Sequence, residues 1–165
     1  MPVSSTGSGA TLRHRAVRLV ARLRTRPCPP RLSRPAQVRV LVEVLNEALA
    51  AQQQADAAVA SCGEPGPLSG QAARDCGHAN SAFLHLQARL RGLPLTDPDL
   101  VRAQAYAGRL LAYDQWMVHQ SLNLAFTVHP DARTEAARLQ LNGLGRPADD
   151  LRRLRDTLKP EERTA

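Results

Sequence analysis

The residues best placed to do chemistry in this chain are Asp75, His78 and His85, with Cys76 among them. In Asp75-Cys76-Gly77-His78 a carboxylate and an imidazole stand three residues apart, and His85 follows one heptad after His78. On a helix these spacings put all three on one flank. Metal centres inside helical bundles use Glu-x-x-His pairs from two helices and one glutamate from each of two others. Here aspartate replaces glutamate, and the other half of the set does not assemble. Glu43 and Glu47 point away from the apolar seam of their own segment. Asp114 and His119 are five residues apart, which turns them to different sides of a helix. Asp75, His78 and His85 are thus the candidate metal ligands, weighed against flank histidines that are simply solvated or hydrogen-bonded.

The cysteines offer a second chemistry. Cys28, Cys62 and Cys76 are odd in number and widely spread, so they do not form a disulfide framework. Cys62 and Cys76 flank one turn, but a redox pair needs Cα atoms within about 7 Å. The pattern favours a buried thiol at Cys76 and a loop thiol at Cys62. Nucleophilic catalysis has little support, because no Gly-x-Ser-x-Gly and no phosphate-cradling glycine loop occurs. Gly143-Leu144-Gly145 lacks the strand that a dinucleotide-binding turn requires. No catalytic residue and no cofactor is expected.

The third candidate is electrostatic. The formal charge of the 165 residues is +7, and residues 1–36 carry eight arginines and no acid. Residues 37–165 then hold 14 basic and 15 acidic groups, a net charge of −1. The basic character therefore belongs to the N-terminal arm, where Arg13, Arg15, Arg18, Arg22, Arg24 and Arg26 are the candidate contacts to nucleic acid. An anionic membrane surface, an import receptor or no partner at all would suit the same arm. The near-neutral remainder argues against a nucleic-acid footprint over the whole chain. A helix–turn–helix reading of the C-terminal segment fails similarly, since Asp149 and Asp150 would meet phosphates head-on.

The elements that must position these groups follow from periodicity. Four prolines in Arg26–Pro35 favour an extended linker and divide a basic arm, 1–35, from a folded domain, 36–165. A helix over about 36–61 carries Val38, Leu41, Leu45, Ala48, Ala55 and Val59 in one seam, with Gln52 interrupting it. A second, over about 70–91, carries Ala72, Cys76, Ala79, Phe83, Leu86 and Leu90, with Ser69 as its cap and Gly92 and Pro94 beyond its end. Thr96 or Asp97 caps a third, which runs to about Val128 with Tyr106, Leu110, Tyr113, Met117 and Leu124 on one side. Short helices over about 131–142 and 148–158 follow. Tyr106 and Trp116 are expected to anchor the core rather than to line a groove with Gln52, Gln53, Gln54, His119 and Gln120.

No strand pattern competes, and no apolar run approaches the ~18 residues of a membrane span. The expected fold is all-α: an antiparallel three- or four-helix bundle with two short C-terminal helices and a flexible Arg-rich N-terminal arm. The expected function is that of a small, non-enzymatic, cytoplasmic interaction or regulatory protein that binds a protein partner or a second copy of itself. Nucleic-acid binding through the arm is the first alternative, and a metal- or small-molecule-binding bundle is the second.

Overall fold

Side-chain caps from Ser69, Asp97 and Asp131 begin three of the helices. Ser69 accepts from the Ala72 amide at 3.2 Å, Asp97 from the amides of Asp99 and Leu100, and Asp131 from that of Thr134 at 2.6 Å. A computed structural model describes residues 32–67 and 69–159. Among these it forms α1 (Arg34–Gly63), α2 (Gly70–Arg91), α3 (Pro98–Ala125), α4 (Ala132–Arg138) and α5 (Arg146–Leu158), with no strand. The basic arm and its candidate arginines, Arg13 to Arg26, lie outside the described residues. No helix among the described residues is long and apolar enough to cross a membrane.

The three long helices each pack against the other two, α5 packs on α1 and α3, and α4 packs on α3. Polar pairs fix their registers. At the start of α1, Gln37 Nε2 donates to Leu32 O and Thr96 Oγ1, while Gln37 Oε1 accepts from the amides of Thr96 and Asp97. Arg34 adds an ion pair to Asp97 at 3.0 Å. Farther along, Gln52 of α1 meets Asp114 of α3, and at the end of α1 Cys62 meets Cys76 of α2. Leu41, Leu45, Ala55, Val59, Cys76, Phe83, Ala107, Leu111 and Val118 form the centre of the core.

Several boundaries differ from expectation, the helix expected over about 131–142 ending already at Arg138, and two of the differences have identifiable reasons. Helix α3 stops at Ala125 because Pro130 has no N–H to donate to the Phe126 carbonyl, and His129 before it is biased out of the helical region. Helix α1 continues to Gly63 instead of ending near Ser61, which keeps Cys62 inside the helix and the core. Gly63 is needed there, since any Cβ would collide with the Leu141 carbonyl in the α4–α5 connection. In that same connection Gly143 has φ +118° and lies against the Asp56 carboxylate, which accepts from the Leu144 amide at 2.7 Å. Leu144 is thereby pinned into the core beneath α5.

Candidate functional site

Three places combine chemistry-bearing groups. The first lies midway along the bundle. Asp114 and Gln52 are both buried, and Gln52 Nε2 donates to Asp114 Oδ2 at 2.5 Å. The other oxygen of each, Asp114 Oδ1 and Gln52 Oε1, has no hydrogen-bond partner among the described residues. Burial without a cation disfavours the carboxylate, so the Asp114 carboxyl is pushed up to about 6 against the opposing pull of the Gln52 amide. A proton on Oδ1 makes that oxygen a donor, and Gln52 Oε1 is the orphaned acceptor it would serve. Acid and amide then pair through two hydrogen bonds instead of one.

The second place is the far end of α1. Cys62 Sγ and Cys76 Sγ stand 3.7 Å apart, both fully buried. The hydrogen bond with Cys76 draws the Cys62 thiol downward, and the positive charge of Arg138 adds to this against the effect of burial. The same hydrogen bond pushes Cys76 up, together with burial. Arg138 is itself withdrawn from water. Its Nη1 donates to the carbonyls of Cys62 and Glu64 at 3.0 and 2.7 Å, and its Nε and Nη2 form a fork on Glu135 at 2.9 and 2.5 Å. That fork holds the Glu135 carboxyl below the usual carboxylate range.

The third place is the outer face of α3. Tyr106, Tyr113 and Trp116 are 37, 43 and 52% exposed, and the Tyr113 and Trp116 rings touch with centroids 5.6 Å apart. The guanidinium of Arg109 lies 5.5 Å from the Tyr106 ring centre. On α2, Asn80 and Gln87 both bond to Gln115, and exposed Leu84 lies between them on the same helical stripe, level with the neighbour of Trp116. Between Leu100 and Ala125 the single acid is Asp114, and it is buried. Among the described residues of α3, this face therefore offers aromatic surface, Arg102, Arg109 and His119, with no exposed carboxylate beyond Asp99, which is paired to Arg102.

An open groove of about 780 Å³ also runs between the first half of α1 and the end of α5, floored by Val38, Val42, Leu100 and Leu158. Among the described residues that line it, no polar side chain is buried.

The expected site residues fall as follows. Asp75 is half-buried and accepts from Gln71 at 2.7 Å, while His78 and His85 are exposed on α2. Among the described residues no three His, Cys, Asp or Glu side chains come together in a way that could hold a metal ion. Glu43 and Glu47 face water, as expected, and Glu47 pairs with Arg89. Cys62 is not a loop thiol: the extra turn of α1 carries it into the core against Cys76. Tyr106 and Trp116 do not anchor the core. The buried stripe of α3 is Leu100, Ala107, Leu110, Leu111, Asp114, Val118, Ser121 and Ala125, which leaves the aromatic side outside. Among the polar residues set beside them, Gln52 is in the core, and Gln53, Gln54 and His119 are exposed. Asp114 and Arg138 were not foreseen as buried. The signal for Asp114 was a lone acid amid small and apolar residues at helical spacing. No signal in the sequence isolates Arg138 from twenty other arginines. In comparisons with known proteins, no family model, curated protein or solved structure matches this chain.

Proposed function

We propose that this chain is a non-enzymatic interaction protein. In this reading α1, α2 and α3 form an up–down–up bundle, extended by two short helices, and the outer face of α3 binds an acidic amphipathic helix of a partner protein. The pairings Cys62–Cys76, Gln52–Asp114 and Gln87–Gln115 support that arrangement of the three helices. One observation carries the functional reading: three of the chain's five aromatic residues sit exposed on a single helix face that presents cations and no free carboxylate. Tyr, Trp and Arg are the residues that most often anchor protein interfaces, because their large, partly polar surfaces gain most from leaving water. A groove-laying helix with apolar anchors and acidic flanks complements them in both shape and charge.

Trp116 is the only tryptophan, so its emission reports on this face directly. The test begins with affinity capture on the full chain, followed by titration of each captured protein, purified, against wild type and the Tyr113→Ala/Trp116→Ala double variant. We expect one protein to shift Trp116 emission, to bind wild type at least tenfold more tightly than the variant, and to weaken with added salt. Captured proteins that leave the emission unchanged, or that bind both forms equally, overturn the assignment of this face. A mass that doubles with concentration and reverts in the double variant replaces the acidic partner with a second copy of the chain.

The arm carries a second reading, on the observation that eight arginines and no acid occur in the first 36 residues. Nucleic-acid binding through it predicts a mobility shift with mixed-sequence DNA for the full chain only, falling steeply with salt as counterions are released. Equal binding by a chain beginning at Ala36 rules it out.

A further inference from the structure

We propose that Cys62 and Cys76 are a reversible oxidation site, at which hydrogen peroxide converts the buried thiol pair into an intrachain disulfide joining the end of α1 to α2. The two sulfurs approach from different helices to 3.7 Å. Closing to a bond of about 2.05 Å is a movement of less than 2 Å, within reach of side-chain rotation and a small helix adjustment. Both thiols are fully buried, which excludes bulky oxidants but not one near the size of water. The Glu64–Pro67 turn beside them is exposed and joins the two helices, so local opening there supplies the entry path.

The two cysteines are not equivalent. The hydrogen bond with Cys76 favours the thiolate at Cys62, and the positive charge of Arg138, whose Nη1 donates to the Cys62 carbonyl, adds to this, whereas the same bond holds Cys76 as the thiol. Cys62 thiolate therefore attacks one peroxide oxygen. The O–O bond breaks, hydroxide leaves and takes up a proton, and Cys62 becomes the sulfenic acid. Cys76 then attacks the Cys62 sulfur as its proton departs, the S–O bond breaks, and a second water is released. Two thiols and one hydrogen peroxide yield one disulfide and two waters.

The experiment uses the full chain with Cys28→Ser, so that only this pair can react. Trypsin cuts after Arg74, which places Cys62 in the peptide 40–74 and Cys76 in the peptide 75–89. After mild peroxide treatment of the folded protein we expect an intact mass lower by about 2 Da, the two peptides joined, and reversal by dithiothreitol. The cross-link spans 14 residues of sequence and should raise the melting temperature by about 5–10 °C. A Cys76→Ser variant should accumulate a Cys62 sulfenic acid that dimedone traps, whereas Cys62→Ser should trap none. Two thiols that still alkylate after treatment, a mass gain of 32 or 48 Da on either cysteine peptide (neither contains methionine), or peptides joined between molecules would each overturn the proposal.

Discussion

Arg138 and Asp114 are both withdrawn from water, with side chains of which almost nothing is exposed, yet their surroundings differ completely. Arg138 makes four hydrogen bonds, two of them to a carboxylate of opposite charge. Asp114 accepts one bond from a neutral amide and has an oxygen left bare. The guanidinium keeps its charge and uses it to tie α4 to the end of α1. The carboxyl is pushed towards its neutral form. The contrast teaches that burial alone does not decide the state of an ionisable group; the number and sign of its partners do. It also separates two kinds of buried polar group, one that stabilises at every physiological pH and one whose contribution depends on pH.

Substitution of Arg138 by Met should have the largest effect. It removes four bonds and strands the carbonyls of Cys62 and Glu64, so we expect a fall of roughly 10 °C in melting temperature. Neither Arg nor Glu titrates between pH 6 and 8, so the loss should be equal across that range when followed by circular dichroism. A loss that varied with pH there would break the contrast.

Asp114→Asn should act oppositely. In the native chain the folded-state value near 6 exceeds the ordinary 3.8, so the folded protein holds the proton more tightly than the unfolded chain. The contribution of Asp114 to stability is then fully present below about pH 4 and is lost as pH rises through 6, by about 3 kcal/mol for a shift of about two units. An asparagine can donate to Gln52 Oε1 and accept from Gln52 Nε2 at any pH. Urea unfolding should show the variant more stable than wild type by a few kcal/mol at pH 8, and nearly equal to it at pH 4. A variant less stable at pH 8 would show that Asp114 has a partner other than Gln52.

The smallest expected effect is that of Trp116→Ala on stability. A half-exposed ring outside the core should change the unfolding free energy by no more than about 0.5 kcal/mol. Its consequence belongs to binding. A loss above about 1.5 kcal/mol would mean that the ring supports the fold, and would remove the reason for assigning it to a partner.

Helix α2 was fully legible in the sequence, and α3 was not, for one physical reason. All six seam residues expected of α2, from Ala72 to Leu90, are buried, because its large apolar residues and its small ones share a face. In α3 they diverge. Tyr106 and Tyr113 are bulky but exposed, and the buried stripe joins Leu110, Leu111 and Val118 to Ala107, Asp114, Ser121 and Ala125, whose small or polar side chains carry little weight in a hydrophobic pattern. The Asp97 cap and the outward Glu43 and Glu47 were legible from local rules alone. The pairing of Cys62 with Cys76 was not, since it depends on whether α1 ends before or after Cys62. Single-turn boundaries are where sequence patterns are weakest.

The Gln37 and Gln52 bonds between α1 and α3 span 59 to 62 residues of sequence, whereas the cysteine contact between α1 and α2 spans 14. Chain closure over a short interval has the lower entropic cost, and the Gln104–Leu90 bond between α2 and α3 also spans only 14 residues, so the α1–α2 and α2–α3 hairpins are both expected to form before α1 meets α3. The Gln52–Asp114 contact, made only when α1 and α3 meet, is then expected to close after the rate-limiting barrier. The cost of Asp114 having a lone amide partner falls on the lifetime of the native state, and the speed with which that state is reached is left almost untouched.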